Sequence, residues 1–253
     1  MSDSRKKIAT RGSGNAACLI QSSLVLSLLL VSACSRYVDV VPTSDEKEAM
    51  NSVLGFLDTV NESALTGAFS GLDSESYTHI VTTQTLDETG TVTTSSVDIL
   101  DAAAFDPYQL PDDRGYNNAR HETKFLYRFL ADTTLGDIRA QVVDIRVRAE
   151  AAKEVPVQNI RFFVDRESLN VIAIRLQHRT ESLLYKEESL VYMEGVANGS
   201  GMIIPSRFDF QTTVKAFFSD PIRLSTSSVF EAIEAGEAVS DSVAAGDTGP
   251  ERS

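Results

Sequence analysis

Apolar residues first recur at helical spacing, with Met50, Val53, Leu54 and Leu57 at i, i+3, i+4 and i+7 on one face. Thr43 and Glu46 stand at capping-box spacing just ahead of them, so an amphipathic helix is expected to begin there. Asn61 and the stretch from Gly67 to Gly71 read as its end. Beyond that point the period changes from helical to alternating and stays so for most of the chain. Residues 77–86 and 91–99 are threonine-rich strands around Asp87-Glu88-Thr89-Gly90, a hairpin turn with glycine where a positive φ is wanted. Both faces of this pair are mixed, which places it at a sheet edge.

Residues 100–122 hold Pro107, Pro111, Gly115 and paired Asp and Asn residues, and read as a long loop. Alternation then resumes in 124–130 (Phe125, Tyr127 and Phe129 on one face), 138–148 (Val143, Ile145 and Val147 opposite Asp144, Arg146 and Arg148) and 159–165 (Ile160, Phe162 and Val164). It continues in 171–179 with Ile172, Ile174 and Leu176 inward, in 183–193, and in 202–218 with Phe208, Phe210 and Val214 on one side. Short loops between these runs favour antiparallel neighbours. The expected fold is α+β and mainly antiparallel β: a curved open sheet or half-barrel of about eight strands, with an N-terminal amphipathic helix over its apolar face. Residues 43–226 form one domain of that kind. Ser228 and Glu231, again at capping-box spacing, suggest a short helix opening an acidic, disordered tail over 227–253.

The first residues have a different pattern. Arg5, Lys6, Lys7 and Arg11 precede a thirteen-residue run of mainly apolar character, Leu19 to Val31. A run of that length falls short of the roughly twenty residues needed to span a bilayer and suits a secretory leader. Val31-Ser32-Ala33-Cys34 follows at once and resembles the lipobox of bacterial lipoproteins, where an aliphatic and two small residues precede the modified cysteine. The alternatives are an ordinary secretory signal and an uncleaved anchor. The resemblance implies removal of residues 1–33, acylation of Cys34 and a tether over 34–42, with Ser35 at the second mature position pointing to the outer membrane; the domain is expected to face the periplasm. Cys18 would leave with the leader, so Cys34 would be the only mature cysteine and no internal disulfide could form.

Charge sharpens this picture. The chain carries 23 basic and 36 acidic residues, net −13. Without the leader the balance becomes 19 against 35, or −16. Such a surface repels phosphate backbones, which argues against nucleic acid as a partner.

From Lys124 to Phe218 the order of elements resembles the LolA/LolB-like carrier and receptor proteins of bacterial lipoprotein sorting. The residues that carry the resemblance are a strand ending in Asp165, the alternating strand Val171 to Arg179, a hairpin strand with Tyr185, and Gly201-Met202-Ile203-Ile204-Pro205 opening the next strand. The turn after Asp165 lacks the usual Pro or Gly, and the chain has no Trp. The resemblance implies a half-barrel lidded by helices, with an apolar interior suited to a hydrophobic ligand or a lipidated protein. Its lining would include Phe125, Tyr127, Phe129, Phe162, Ile174, Phe208 and Phe210, with the face of Met50, Val53, Leu54 and Leu57 as the lid. The same residues would equally form a dry, packed core.

Catalytic chemistry is sparse. His121-Glu122 begins like a zinc-protease motif, but Phe125 stands where the second histidine belongs. His79, His121 and His178 lack metal-ligand spacing and are expected on solvated strand faces. Asn198-Gly199-Ser200-Gly201 reads as a hairpin turn rather than a nucleophile elbow. No catalytic residue, cofactor or metal is therefore expected, and two functions remain. One is a membrane-anchored binding module for a lipid, acyl chain or lipidated partner; the other is a scaffolding lipoprotein that docks an envelope protein through the edge at 77–99 or the loop at 100–122.

Overall fold

The computed structural model describes residues 40–70, 77–101, 110–111 and 113–232. The leader, Cys34, Ser35, most of the tether, the middle of the 100–122 loop and the tail from 233 onward lie outside the described residues.

Helix α1 (Ser44–Leu57) starts as its sequence requires, with the Thr43 side chain accepting from the Glu46 amide and the Glu46 carboxylate accepting from the Thr43 amide. Val53 is buried, and Met50, Leu54, Phe56 and Leu57 pack partly buried against the same cluster. The expected stop at residues 67–71 is not a stop. A second helix, α2 (Ser63–Ser70), contains Gly67 and buries Leu65 and Phe69. Leu65 and Phe69 lie four apart on one face, and burying them, at roughly 1.5–3 kcal/mol each, outweighs the roughly 1 kcal/mol cost of a mid-helix glycine.

Nine strands follow among the described residues: β1 (Tyr77–Leu86), β2 (Val92–Asp101), β3 (Phe125–Leu135), β4 (Ile138–Val147), β5 (Val157–Asp165), β6 (Val171–Glu181), β7 (Tyr185–Ala197), β8 (Ile203–Ala216) and β9 (Ile222–Ala232). All pair antiparallel in one open sheet of order β2-β1-β9-β8-β7-β6-β5-β4-β3. From β3 to β9 the sheet is a meander, and the β1–β2 hairpin docks on β9 with β2 at the free edge. Strand β9 corrects the sequence reading. Ser228 and Glu231 do not open a helix but lie in a ladder, Ser228 opposite both Val81 and Phe208, and the sheet runs to Ala232 rather than ending at 226. Sandwiched between two strands, the segment satisfies its backbone groups on both sides, which a capping-box spacing cannot offset.

Two of the tight turns share one device. Asp87 accepts from the Thr89 amide, the Thr89 hydroxyl and the Thr91 amide, and Gly90 takes φ +86°. Asn198 accepts from the matching groups of Ser200 and Met202, and Gly201 takes φ +80°. The turn after Asp165 has no glycine, and there Leu169 itself adopts φ 57°. It is held by hydrogen bonds on both sides: its amide donates to the Asp165 carbonyl, and its carbonyl accepts from Asn61.

Antiparallel pairing sorts the connections onto two ends of the sheet. The β3–β4, β5–β6 and β7–β8 turns share one end. The β1–β2, β6–β7 and β8–β9 turns share the other, with the β4–β5 connection and the start of α1, where Arg148 bonds Glu46 at 2.9 Å.

Candidate functional site

Register determines what the helices cover. Tyr127, Ile145, Ile160, Leu176, Val191 and Phe210 stand side by side on β3 to β8, and the row continues as Thr226, Thr83 and Ser96 on β9, β1 and β2. The adjacent row is Phe129, Val143, Phe162, Ile174, Met193 and Phe208, passing into Ser228 and Val81. The inner face is thus apolar over six strands and mostly polar over the remaining three. Helix α1 lies on β3, and α2 lies across β6, β7 and β8.

Phe125, Tyr127, Phe162, Ile174 and Phe208 are buried together with Val53, while Met50, Leu54, Leu57 and Phe210 join the same cluster partly buried. Phe129 stands apart: it is 40% exposed and meets Phe56 of α1 edge to face, ring centroids 5.5 Å apart. The candidate lining and lid residues other than Phe129 are therefore brought into one cluster, and Phe129 marks its margin.

Among the side chains of this interior that were not anticipated, three are large and come from outside the strands. Leu65 and Phe69 come from α2, and Tyr116 comes from the end of the long loop. Tyr116 is buried and sits edge-on to Phe125 and Phe162 at 6.5 and 6.1 Å. Burial pushes its phenol up to about 12. Its carbonyl accepts from the Tyr127 hydroxyl at 2.8 Å, and Arg114 ties the segment to Glu62 at 2.5 Å and to the Pro111 carbonyl. Gly115 makes the turn possible, because it has φ +79° and a Cβ there would lie 2.9 Å from Val155. Gly195 does the same for α2: a Cβ would lie 2.5 Å from Ile203 and 3.0 Å from Leu65. A spacing signal existed for Leu65 and Phe69; none existed for Tyr116, which stands among Asp, Gly and Asn residues.

The opposite face of the sheet is polar but not wholly solvated. Asp144, expected on the solvent side, is fully buried between Arg128 and Arg161, at 2.6 and 2.9 Å. Burial alone would raise its pKa; hydrogen bonds from Arg128, Asn159 and Arg161 outweigh it and hold the carboxylate below its usual range. Two pockets lie on this face, about 250 and 410 Å³, the first lined by Phe163, Arg175, Leu190, Tyr192, Asp209 and Gln211 and the second including Arg146, Asn159, Gln177 and Arg179.

His79 also differs from expectation. It is buried and stacks on Phe230, ring centroids 5.3 Å apart. It pairs across the ladder with Phe230 on the inner face, and Phe69 at the end of α2 meets Phe230 edge to face at 5.5 Å. His121 and His178 are half-buried. Among the described residues no three His, Cys, Asp or Glu side chains are placed to hold a metal ion. No helix among them is long and apolar enough to cross a membrane.

No family model matches the chain, and no curated protein does. Solved structures similar to it include a LolA superfamily protein from Nitrosomonas europaea, at 10% identity and TM-score 0.24 over 68% of this chain and 93% of that one. A protein of the DUF1329 family from Desulfovibrio piger gives 9% and 0.25 over 78% and 96%. A domain described as an outer membrane lipoprotein-sorting protein, from Vibrio parahaemolyticus, gives 8% and 0.30 over 75% and 95%.

Proposed function

We propose that this chain is a lipid-anchored protein of the bacterial cell envelope that binds an acyl chain, a lipid or a lipidated partner between its helices and its sheet, without catalysing a reaction. Anchoring rests on Val31-Ser32-Ala33-Cys34 behind an apolar run of leader length, and Ser35 supports the outer membrane. The observation that carries the binding role is the seam between α1 and β3. There Met50, Leu54, Phe56 and Leu57 pack partly buried against the core, Phe129 meets Phe56 at the exposed margin, and one helix on one edge strand covers the seam. A helix held mainly by apolar contact on a single strand is the element that can lift at least cost. An acyl chain sliding under it would gain roughly 25 cal/mol per Å² of buried area with little directional chemistry.

Displacement of a fluorescent fatty acid from the chain carrying Cys34→Ser, which removes the acyl acceptor, tests this. Saturable one-to-one binding that is lost when Val53→Trp occupies the interface between α1 and the sheet is the expected result. No saturable binding would leave Tyr116, Leu65 and Phe69 as plugs of a solid core.

A second reading, a scaffold that docks an envelope protein, is favoured by the free edge. Strand β2 is exposed on both faces, Ile99 at 71% together with Val97 and Val92. Such an edge can add a partner's strand. Crosslinking from benzoylphenylalanine placed at Ile99 in cells would identify that partner, and an absence of crosslinked protein would count against the scaffold.

A further inference from the structure

Two neighbouring hairpin tips expose large apolar side chains in pairs. The β6–β7 turn presents Leu183 and Leu184, and the β8–β9 turn presents Phe217 and Phe218, with Ile222 just beyond. Phe218 is 93% exposed, and the other four are each well over half exposed. The tips are held side by side, since the Phe217 amide donates to the Leu184 carbonyl at 3.0 Å, and the Phe217 and Phe218 rings meet edge to face at 4.5 Å. Five such side chains at one end of a sheet are not the scattered surface hydrophobics of an ordinary soluble face.

The turns themselves carry little of the acidity of the rest of the molecule. In residues 182–186 and 215–223 the charged groups are Lys186, Lys215, Arg223 and Asp220, net +2 in a chain of net −13, and Glu181, opposite Lys186 across the β6–β7 ladder, and Glu187 flank them. Lys186 and Lys215 face each other directly across the β7–β8 ladder, one step behind the apolar residues. Lys186 also meets Glu188 at 2.9 Å. The neighbouring β1–β2 turn, with Asp87 and Glu88, is acidic and bounds the patch on that side. Leucine and phenylalanine tips with long basic side chains behind them suit the boundary between acyl chains and anionic headgroups.

Position in the fold is the third observation. Thr43 and the start of α1 lie at this same end of the sheet, where Glu46 meets Arg148, and Val41 is exposed. Cys34 precedes Val40 by six residues, a stretch that spans at most roughly 20 Å when extended.

We propose that the Leu183-Leu184 and Phe217-Phe218 tips insert into the surface of the lipid bilayer, so that the protein stands on the membrane by this end of its sheet. The proposal rests on anchoring at Cys34 for its setting but not for its chemistry, which belongs to the tips. The acyl chains would hold the molecule at the membrane; the tips would orient it.

The chain lacks tryptophan, so Phe218→Trp installs a single emitter at a site too exposed to disturb folding. Met202→Trp, in the exposed β7–β8 turn at the opposite end of the sheet, is the control. Full-length acylated protein is reconstituted into vesicles of phosphatidylethanolamine and phosphatidylglycerol with brominated acyl chains. Emission from Phe218→Trp is expected to fall at least about twofold relative to unbrominated vesicles, with no comparable loss from Met202→Trp, because insertion to roughly 5–10 Å brings the ring within reach of the quencher. Lys186→Gln with Lys215→Gln should reduce the quenching, and more so as the share of phosphatidylglycerol rises. Equal quenching at the two positions, or none at Phe218→Trp in vesicle-bound protein, overturns the insertion. Protein that is bare at Cys34 by mass spectrometry and fails to stay with the vesicles overturns the anchor instead, and quenching by vesicles added to that bare protein would still support the tips.

Discussion

At the scale of single residues, the interior depends on positions that carry almost no side chain. Gly115 combines φ +79° with contact distances that leave no room for a methyl group. Gly115→Ala should therefore cost about 2 kcal/mol or more, since strain and overpacking add. Gly199→Ala, with nothing within 4 Å and no positive φ, should change stability by less than about 0.5 kcal/mol. Urea midpoints of the two variants make the comparison. The result bears on function because Gly115 seats Tyr116 over Phe125 and Phe162. The glycines of the Asp87 and Asn198 turns were legible in the sequence because turn chemistry is local. Gly115 was legible only as a loop residue, since its constraint comes from Val155, forty residues away.

At the scale of elements, α1 is joined to the sheet by an apolar face and by one charged contact at its first turn. The Arg148 guanidinium, with the Thr43 amide, holds the Glu46 carboxyl at about 2, below its ordinary 4.5. A carboxyl depressed on folding stabilises fully above its unfolded value, and the contribution is lost as pH falls from 4.5 through about 2. The stability difference between the natural chain and Glu46→Gln should accordingly be present at pH 6 and be mostly lost by pH 2, as urea titrations at each pH would show. Hydrogen exchange in α1 should rise over the same range if this end of the helix leads the opening. The amphipathic stripe and capping box of α1 were plain in the sequence. Helix α2 was obscured by Gly67 and its eight residues, too short for periodicity to stand out from chance. Strand β9 was missed because its inner positions turn from apolar to Thr226 and Ser228, where alternation loses its contrast.

At the scale of the whole molecule, the sheet has two unlike flanks, an apolar one under helices and a polar hairpin that extends past them. A fully exposed edge strand contributes little burial, so Val97→Lys with Ile99→Lys should leave the melting temperature within a few degrees of the natural chain. A loss of many degrees would mean that this edge is covered in the folded molecule. The sequence by itself determined the antiparallel strands, the order of most of them, the capped helix and the residues of the inner apolar face, because period, turn chemistry and capping act over a few neighbouring positions. The lipobox-like segment is equally local, and it lies outside the described residues. Only the tertiary structure decided that the first hairpin pairs with the last strand, that Asp144 and His79 are buried, that Tyr116 enters the interior, and that Leu183, Leu184, Phe217 and Phe218 gather at one end with the start of α1. Each of these depends on contacts between residues distant in the chain, where burial and register are set by partners that no local pattern names.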